Sequence, residues 1–303
     1  LTGSPLLQRY SGEEVAHQIR RTVKEETGLT VSVGVSFNKI FAKLGSDLKK
    51  PDAVTCISRE SFKDQIWPLP ASDLLYVGRA TKAKLDRYGI YTIGQLAGAS
   101  PDFLTMLLGK NGNMLWRFAN GLDTSRVMPC TFEPPVKSIG HGITCTADLV
   151  NAVEVHHIFL ELSQEIGLRL RQQGLSAQRV QISVRDCELG YRQYQAALPF
   201  PTQSYLEICT AGVELFNRRY AWEKDIRSLT IRAIDLVPVD SPHQMDLWID
   251  YKAHDKRLKI EETIESIRRR FGHGAINFAS LTSNIKYPGR QEVEYKMPSV
   301  MYQ

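Results

Sequence analysis

The sequence predicts an α+β chain of several domains, and three observations carry that prediction. Residues 11–50 read as helix, strand, helix; residues 61–127 read as short helices cut by glycines; residues 138–240 read as strand, helix, strand, strand, helix, strand. The first is part of a layered α/β element, the second a small all-α domain, and the third a two-layer βαββαβ domain. The expected divisions are 1–60, 61–127, a linker at 128–137, 138–240, and a C-terminal extension at 241–303.

Each element has a local cause. "SGEEVAHQIRRTVKEETG" (11–28) opens with a capping box, Ser11 and Glu14, and closes on Gly28 as a C-cap. Val15, Ile19 and Val23 supply its apolar stripe. "TVSVGVS" alternates Val31, Val33 and Val35 against Ser32 and Gly34, the strand pattern, and Gly34 is expected to leave a gap on the second face. A helix from about Asn38 to Lys49 turns Ile40, Phe41, Leu44 and Leu48 inward and stops before Pro51. The segments "ASDLLYVG", "ATKAKLDRYG", "TIGQLAG", "PDFLTMLLG" and "NMLWRFANG" then read as five short helices. "MPCTFEPPVKS" carries three prolines and reads as an extended linker. Beyond it, strands are expected at about 138–145, 178–186, 190–198 and 228–237, with helices at about 151–173 and 203–220. A charged helix at about 253–271 and a polar tail to Gln303 complete the chain.

Composition narrows the class. With 43% hydrophobic and 23% charged residues over 303 positions the chain is ordinary globular material. No run reaches the roughly 18 to 20 apolar residues of a membrane helix, and the first residues lack a signal-peptide pattern, so the reading is soluble, cytoplasmic and without a membrane partner. Five widely spaced cysteines contain no C-x-x-C and indicate neither a disulfide framework nor zinc; reduced, mostly buried thiols are expected. The net charge of +5 favours a polyanion only weakly, and the basic excess lies in the first 135 residues.

Three groups of residues could bind phosphate. Lys39, Lys43, Asp47 and Lys50 share one helix face, which suits either a solvated surface or a phosphate site. "LLYVGRATKAKLDRYGI" (74–90) has the form helix, glycine hairpin, helix; it fits an ordinary helix turn equally with a site whose backbone N–H groups at 77–80, with Lys82 and Lys84 nearby, cradle a phosphate without reading bases. In "QRVQISVR" the residues Val180, Ile182 and Val184 point to the helices, leaving Arg179, Gln181, Ser183 and Arg185 on an open sheet face that Arg232 would join if Leu229, Ile231 and Ala233 face in; such a face suits either plain solvation or a polyanion's backbone. The adjacent acid pairs sit at helix ends, the histidines are scattered, and no nucleophile–base pattern is present.

In order, "TVSVGVSFNKIFAKLGSDLKKPDA", "LYVGRATKAKLDRYGIYTIGQLA", "LWRFANGLD" and "KSIGHGIT" resemble the Y-family translesion DNA polymerases of the DinB, or polymerase IV, branch, over about residues 1–285. The resemblance implies part of a palm (1–60), a helix–hairpin–helix thumb (61–127) and a little finger (138–240). It matches Lys50 to the palm lysine that contacts the incoming deoxynucleoside triphosphate. Gly78 and Thr81 match thumb positions that hold primer-strand phosphates, with Arg79 and Lys84 as neighbouring basic positions. Ser138, Arg179 and Arg232 fall on little-finger strands that straddle primer–template DNA. "QMDLW" is similar to the peptide by which bacterial polymerases dock on the sliding clamp, through Gln244, Leu247 and Trp248.

Two departures accompany the likeness. Tyr76 stands where the family's hairpin usually has a glycine, and "LTGS" matches the segment just after the family's S-x-D-E. The carboxylates that hold Mg²⁺ would therefore precede Leu1, so the chain alone is expected to be inactive although its intact parent would be a DNA-directed DNA polymerase active in DNA repair. A non-catalytic, clamp-tethered DNA-binding relative is the alternative.

Overall fold

A computed structural model of the chain describes residues 4–242, 250–282 and 285–288. The chain divides into two compact units, Leu1–Phe132 and Glu133–Gln303.

In the first unit, α1 (Gly12–Thr27) starts at the predicted capping box, with Ser11 and Glu14 each accepting from the other's backbone N–H, and ends on Gly28 at φ 71°. Strand β1 (Val33–Ser36) leads into α2 (Lys39–Leu48), and β1 pairs in parallel with β2 (Val54–Ile57), matching Val33 to Val54. Ile40, Phe41 and Leu44 are buried as expected, with Leu48 packed at the edge of the same core.

Several expectations need correction here. Only the first turn of α1 is buried, at Val15 and Ala16, while Ile19 is exposed, because the short two-stranded sheet covers no more of the helix. Strand β2, only four residues long, is not among the elements expected from the sequence. Gly34 leaves no gap: a Cβ there would lie 1.9 Å from the Ala42 carbonyl oxygen and 2.6 Å from the Ser46 nitrogen, so the α2 backbone fills the space. The glycine permits close helix-to-strand contact.

The rest of this unit is helical: α3 (Phe62–Ile66), α4 (Arg79–Asp86), α5 (Ile93–Gly98), α6 (Pro101–Leu108) and α7 (Lys110–Ala119). "ASDLLYVG" forms a single 3₁₀ turn at Ala71–Asp73 instead of a helix, because the Ala71 N–H donates outward to the Tyr91 carbonyl (2.8 Å) and Pro70 bridges to Thr92. Leu74, Val77, Leu85, Ile93, Leu96, Leu104 and Leu115 are buried together with the α2 residues in one core. Residues 122–137 carry neither helix nor strand.

The second unit has the predicted order: β3 (Ser138–Leu149), α8 (Ala152–Gln173), β4 (Leu175–Asp186), β5 (Tyr191–Thr202), α9 (Tyr205–Arg219) and β6 (Ile226–Pro238). The sheet runs β3-β6-β4-β5, antiparallel throughout, with α8 and α9 on one face. Strand β5 continues through Pro199 and Pro201, which sequence reading treats as breakers; it is an edge strand, where a missing N–H costs no ladder bond.

Helix α10 (Tyr251–Phe271) docks on this unit through buried charge. Glu261 accepts from Ser204 Oγ (2.6 Å) and from the Tyr205 and Leu206 N–H groups, so one helix's carboxylate caps the start of another, and Arg171 Nη1 lies 3.1 Å away. The polar-tail expectation also fails locally: Leu281 and Ile285 are buried in the sheet–helix core, isolated apolar residues that show no period in sequence. Of the five free cysteines only Cys145 and Cys209 are buried, not most of them, and burial pushes Cys209 up to about 12.

Candidate nucleic-acid and nucleotide interface

The hairpin is held from below. Leu74 and Val77 are buried, the Val77 N–H donates to the Leu74 carbonyl (3.0 Å), and the Lys82 N–H donates to Gly78 O (2.9 Å) to open α4. Gly78, the N-cap, brings no capping side chain, so the first-turn N–H groups of α4 point out of the helix end beside the exposed Arg79, whereas Lys84, also exposed, lies in the last turn of the helix. Thr81 is half-buried on the same turn. Lys82, by contrast, is paired with Asp86 (2.5 Å). At Tyr76 the backbone takes φ 73°, the left-handed conformation that a glycine adopts without steric cost. The chain therefore takes a glycine-type φ at this position with a tyrosine.

The α2 lysines do not act alike. Lys39 Nζ donates to the Arg126 carbonyl (2.7 Å), away from the others. Lys43 and Lys50 both bind Asp47, one on each carboxylate oxygen, with Lys50 Nζ 2.7 Å from Oδ1. Hydrogen bonds from Lys43 first and Lys50 second hold the Asp47 carboxyl below its ordinary pKa. Lys50, Lys43, Ser46 and Ser32 line a shallow depression closed on one side by Asp52, which Arg20 and Lys24 fix at 3.0 and 2.9 Å. Asn38 caps α2, its Oδ1 accepting from the Phe41 N–H (2.8 Å), while Ser36 Oγ donates to the Ile57 carbonyl (2.9 Å).

The open sheet face follows from strand register. Val180, Ile182, Val184, Leu229, Ile231 and Ala233 are all at most 1% exposed toward the helices, which sends the alternate residues outward. Gln181 pairs with Arg232 and Ser183 with Thr230, so Arg179, Arg185 and Arg232 share one face with Gln181, Ser183, Ser228 and Thr230. Ser138 and Gly140 extend it on β3, where the Arg232 side chain lies over Gly140: a Cβ there would be 2.9 Å from Arg232 Cγ. Arg179 also makes a long ion pair with Asp235 (3.4 Å).

Sequence reading missed the β5 share of this face, Tyr191, Gln193 and Gln195. The signal was present in "YRQYQ": these three share the parity opposite to Tyr194 and Leu198, which pack inward. Gln244, Leu247 and Trp248 lie outside the described residues.

Residues 1–47 match the impB/mucB/samB family and residues 136–247 match the impB/mucB/samB family C-terminal domain. DNA polymerase IV of Acetivibrio thermocellus is 44% identical over 265 residues, covering 88% of this chain and 66% of the relative. DNA polymerase IV of Moorella thermoacetica is 31% identical over 291 residues, 95% of this chain and 70% of the relative, and DNA polymerase IV 2 of Bacillus subtilis is 34% identical over 280 residues, covering 89% of this chain and 66% of the relative. The chain spans about two thirds of the length of these curated relatives. A solved Y-family DNA polymerase chimera superposes with a TM-score of 0.63 at 19% identity, over 75% of this chain and 64% of the chimera.

The fold thus defines a mixed α+β protein of the Y-family polymerase type, with an antiparallel little-finger sheet. The chain belongs to the DNA polymerase IV (DinB) family.

Proposed function

We propose that this chain is the DNA-gripping and nucleotide-contacting part of a Y-family DNA-directed DNA polymerase that copies damaged templates. In that reading residues 1–60 are palm, 61–127 thumb, 128–137 linker, 138–240 little finger and 241–303 a clamp-binding extension. The α4 hairpin (Gly78, Arg79, Thr81, Lys84) takes primer phosphates through backbone N–H groups and local positive charge. The sheet face carrying Ser138, Arg179 and Arg232 lies along the duplex backbone, and Lys50 meets the triphosphate. Gln244, Leu247 and Trp248 serve the sliding clamp.

One observation carries the reading: a four-stranded sheet with one face left open and supplied with three arginines among serine, threonine and glutamine side chains. Such a face holds a polyanion by charge and short hydrogen bonds without demanding a base sequence or an undamaged base, which is the tolerance translesion synthesis requires. Among the described residues no three His, Cys, Asp or Glu side chains come together as a metal site needs. The relatives are named as polymerases, and their likeness gives no support to the expectation that the chain is inert.

The test is fluorescence anisotropy of labelled primer–template DNA across a salt series. Affinity should fall linearly on a log–log plot, and Arg179→Ala with Arg232→Ala should each reduce the slope by about one. A flat salt dependence would refute the backbone grip.

A further inference from the structure

Tyr76 holds a left-handed backbone conformation, φ 73°, in which any Cβ is strained, and 66% of the residue is exposed. The burial of Leu74 and Val77 and the bond from the Val77 N–H to the Leu74 carbonyl tie down the chain on both sides of it. A glycine would follow that path at no steric cost. The tyrosine ring recovers little of its own burial: it leans on Phe118 with ring centroids 6.0 Å apart and planes inclined by 38°, and the rest of it faces solvent. Strain of this kind persists where the side chain has a task that the fold alone does not supply. Two residues on is Gly78, where α4 begins with its N–H groups directed outward and Arg79 exposed beside them.

We infer that Tyr76 is a DNA-backbone contact: its ring packs against a deoxyribose, and its hydroxyl donates to the phosphate next to the one held by the Gly78 hairpin. An aromatic plane presents a flat apolar surface to a sugar, and a phenol is a neutral donor to a phosphate oxygen. Phe118 acts as the rigid prop that keeps the ring upright. The inference rests on the reading of the hairpin as a phosphate site, and it adds to that site a residue type whose contribution is independent of charge.

The experiment uses the full chain and labelled primer–template DNA, with thermal unfolding alongside. Tyr76→Gly removes the strain together with the ring, so its melting temperature should equal or exceed the parent's while DNA affinity falls roughly threefold to tenfold. Tyr76→Phe keeps the backbone and the Phe118 contact and should lose about twofold to threefold in affinity. Neither should alter the salt slope, because no cation is removed, whereas Arg79→Ala should lower it by about one. Unchanged DNA affinity in Tyr76→Gly overturns the inference, as does a lowered melting temperature combined with undiminished affinity in Tyr76→Phe, which would mark the ring as a cover for Phe118. If Arg79→Ala and Thr81→Ala both leave binding unaffected, the hairpin reading itself fails, a result that the Tyr76 variants alone would not produce.

Discussion

Lys50 and Asp47 show how a residue's partner sets what its substitution will do. The Lys50 ammonium rests on Asp47 at the surface, an exposed pair worth about 0–1 kcal/mol, so a triphosphate carrying several negative charges can displace the carboxylate. Lysine suits that exchange because its charge is compact and its stem mobile. On the proposed polymerase reading, Lys50→Ala should raise the nucleotide KM about tenfold, the loss of one charge-assisted contact, and change DNA affinity by less than about twofold. Steady-state kinetics with nucleotide titration, paired with anisotropy, separates the two. Equal losses in both would remove Lys50 from the triphosphate.

Elements were legible in the sequence wherever the signal was local. The Ser11–Glu14 box, the Asn38 boundary and the alternation in "QRVQISVR" are each written within a few residues, and the structure keeps all three. What was not legible depends on the partner across space. Gly34 is the clearest instance: from sequence its missing side chain reads as room, but α2 crosses so near that a methyl group would meet the Ala42 carbonyl at 1.9 Å. Gly45 on α2 approaches from the other side, where a Cβ would lie 3.4 Å from Gly34 Cα. Gly34→Ala should therefore cost about 3 kcal/mol or more, the upper range of overpacking, through separation of helix and strand. Thermal melting of the full chain would register this as a lowered first-unit transition, and an unshifted transition would mean that the backbone relaxes there at little cost. The candidate site divides in the same way. Arg179 and Arg232 were found by parity on their own strands, whereas the pairing that places Gln181 beside Arg232, and the β5 residues beyond it, needed the register between strands.

At the scale of the whole molecule, each unit has its own core, the first built from Ile40 to Ala119 and the second from Ile139 to Ile285. Their responses to pH should differ, because the buried ion pairs that tie α10 down belong to the second. Glu207 accepts from Thr202 Oγ1 at 2.5 Å, lies 2.9 Å from His254 Nδ1, and pairs with Arg257 at 2.8 Å. Burial on its own would raise the Glu207 pKa, but the hydrogen bonds from His254 and Thr202 outweigh it and hold the carboxyl below its ordinary 4.5. A depressed acid stabilises the fold fully above its unfolded pKa and loses that contribution as pH falls through the folded value. Glu261 acts in the opposite sense: burial raises its pKa above 4.5 against the pull of Ser204 and Arg171, so the folded state takes up its proton more readily than the unfolded one does. The two effects overlap in the wild type and separate in a variant. Glu207→Gln should lower second-unit stability at pH 7, leave a smaller deficit near pH 3, and flatten the acid limb between. Thermal unfolding at stepped pH, followed by fluorescence in a background where Trp222, packed against the second-unit core, is kept as the one tryptophan, gives the comparison. A deficit that stays constant from pH 7 to pH 3 would show that Glu207 anchors α10 by shape and neutral hydrogen bonds rather than by its charge.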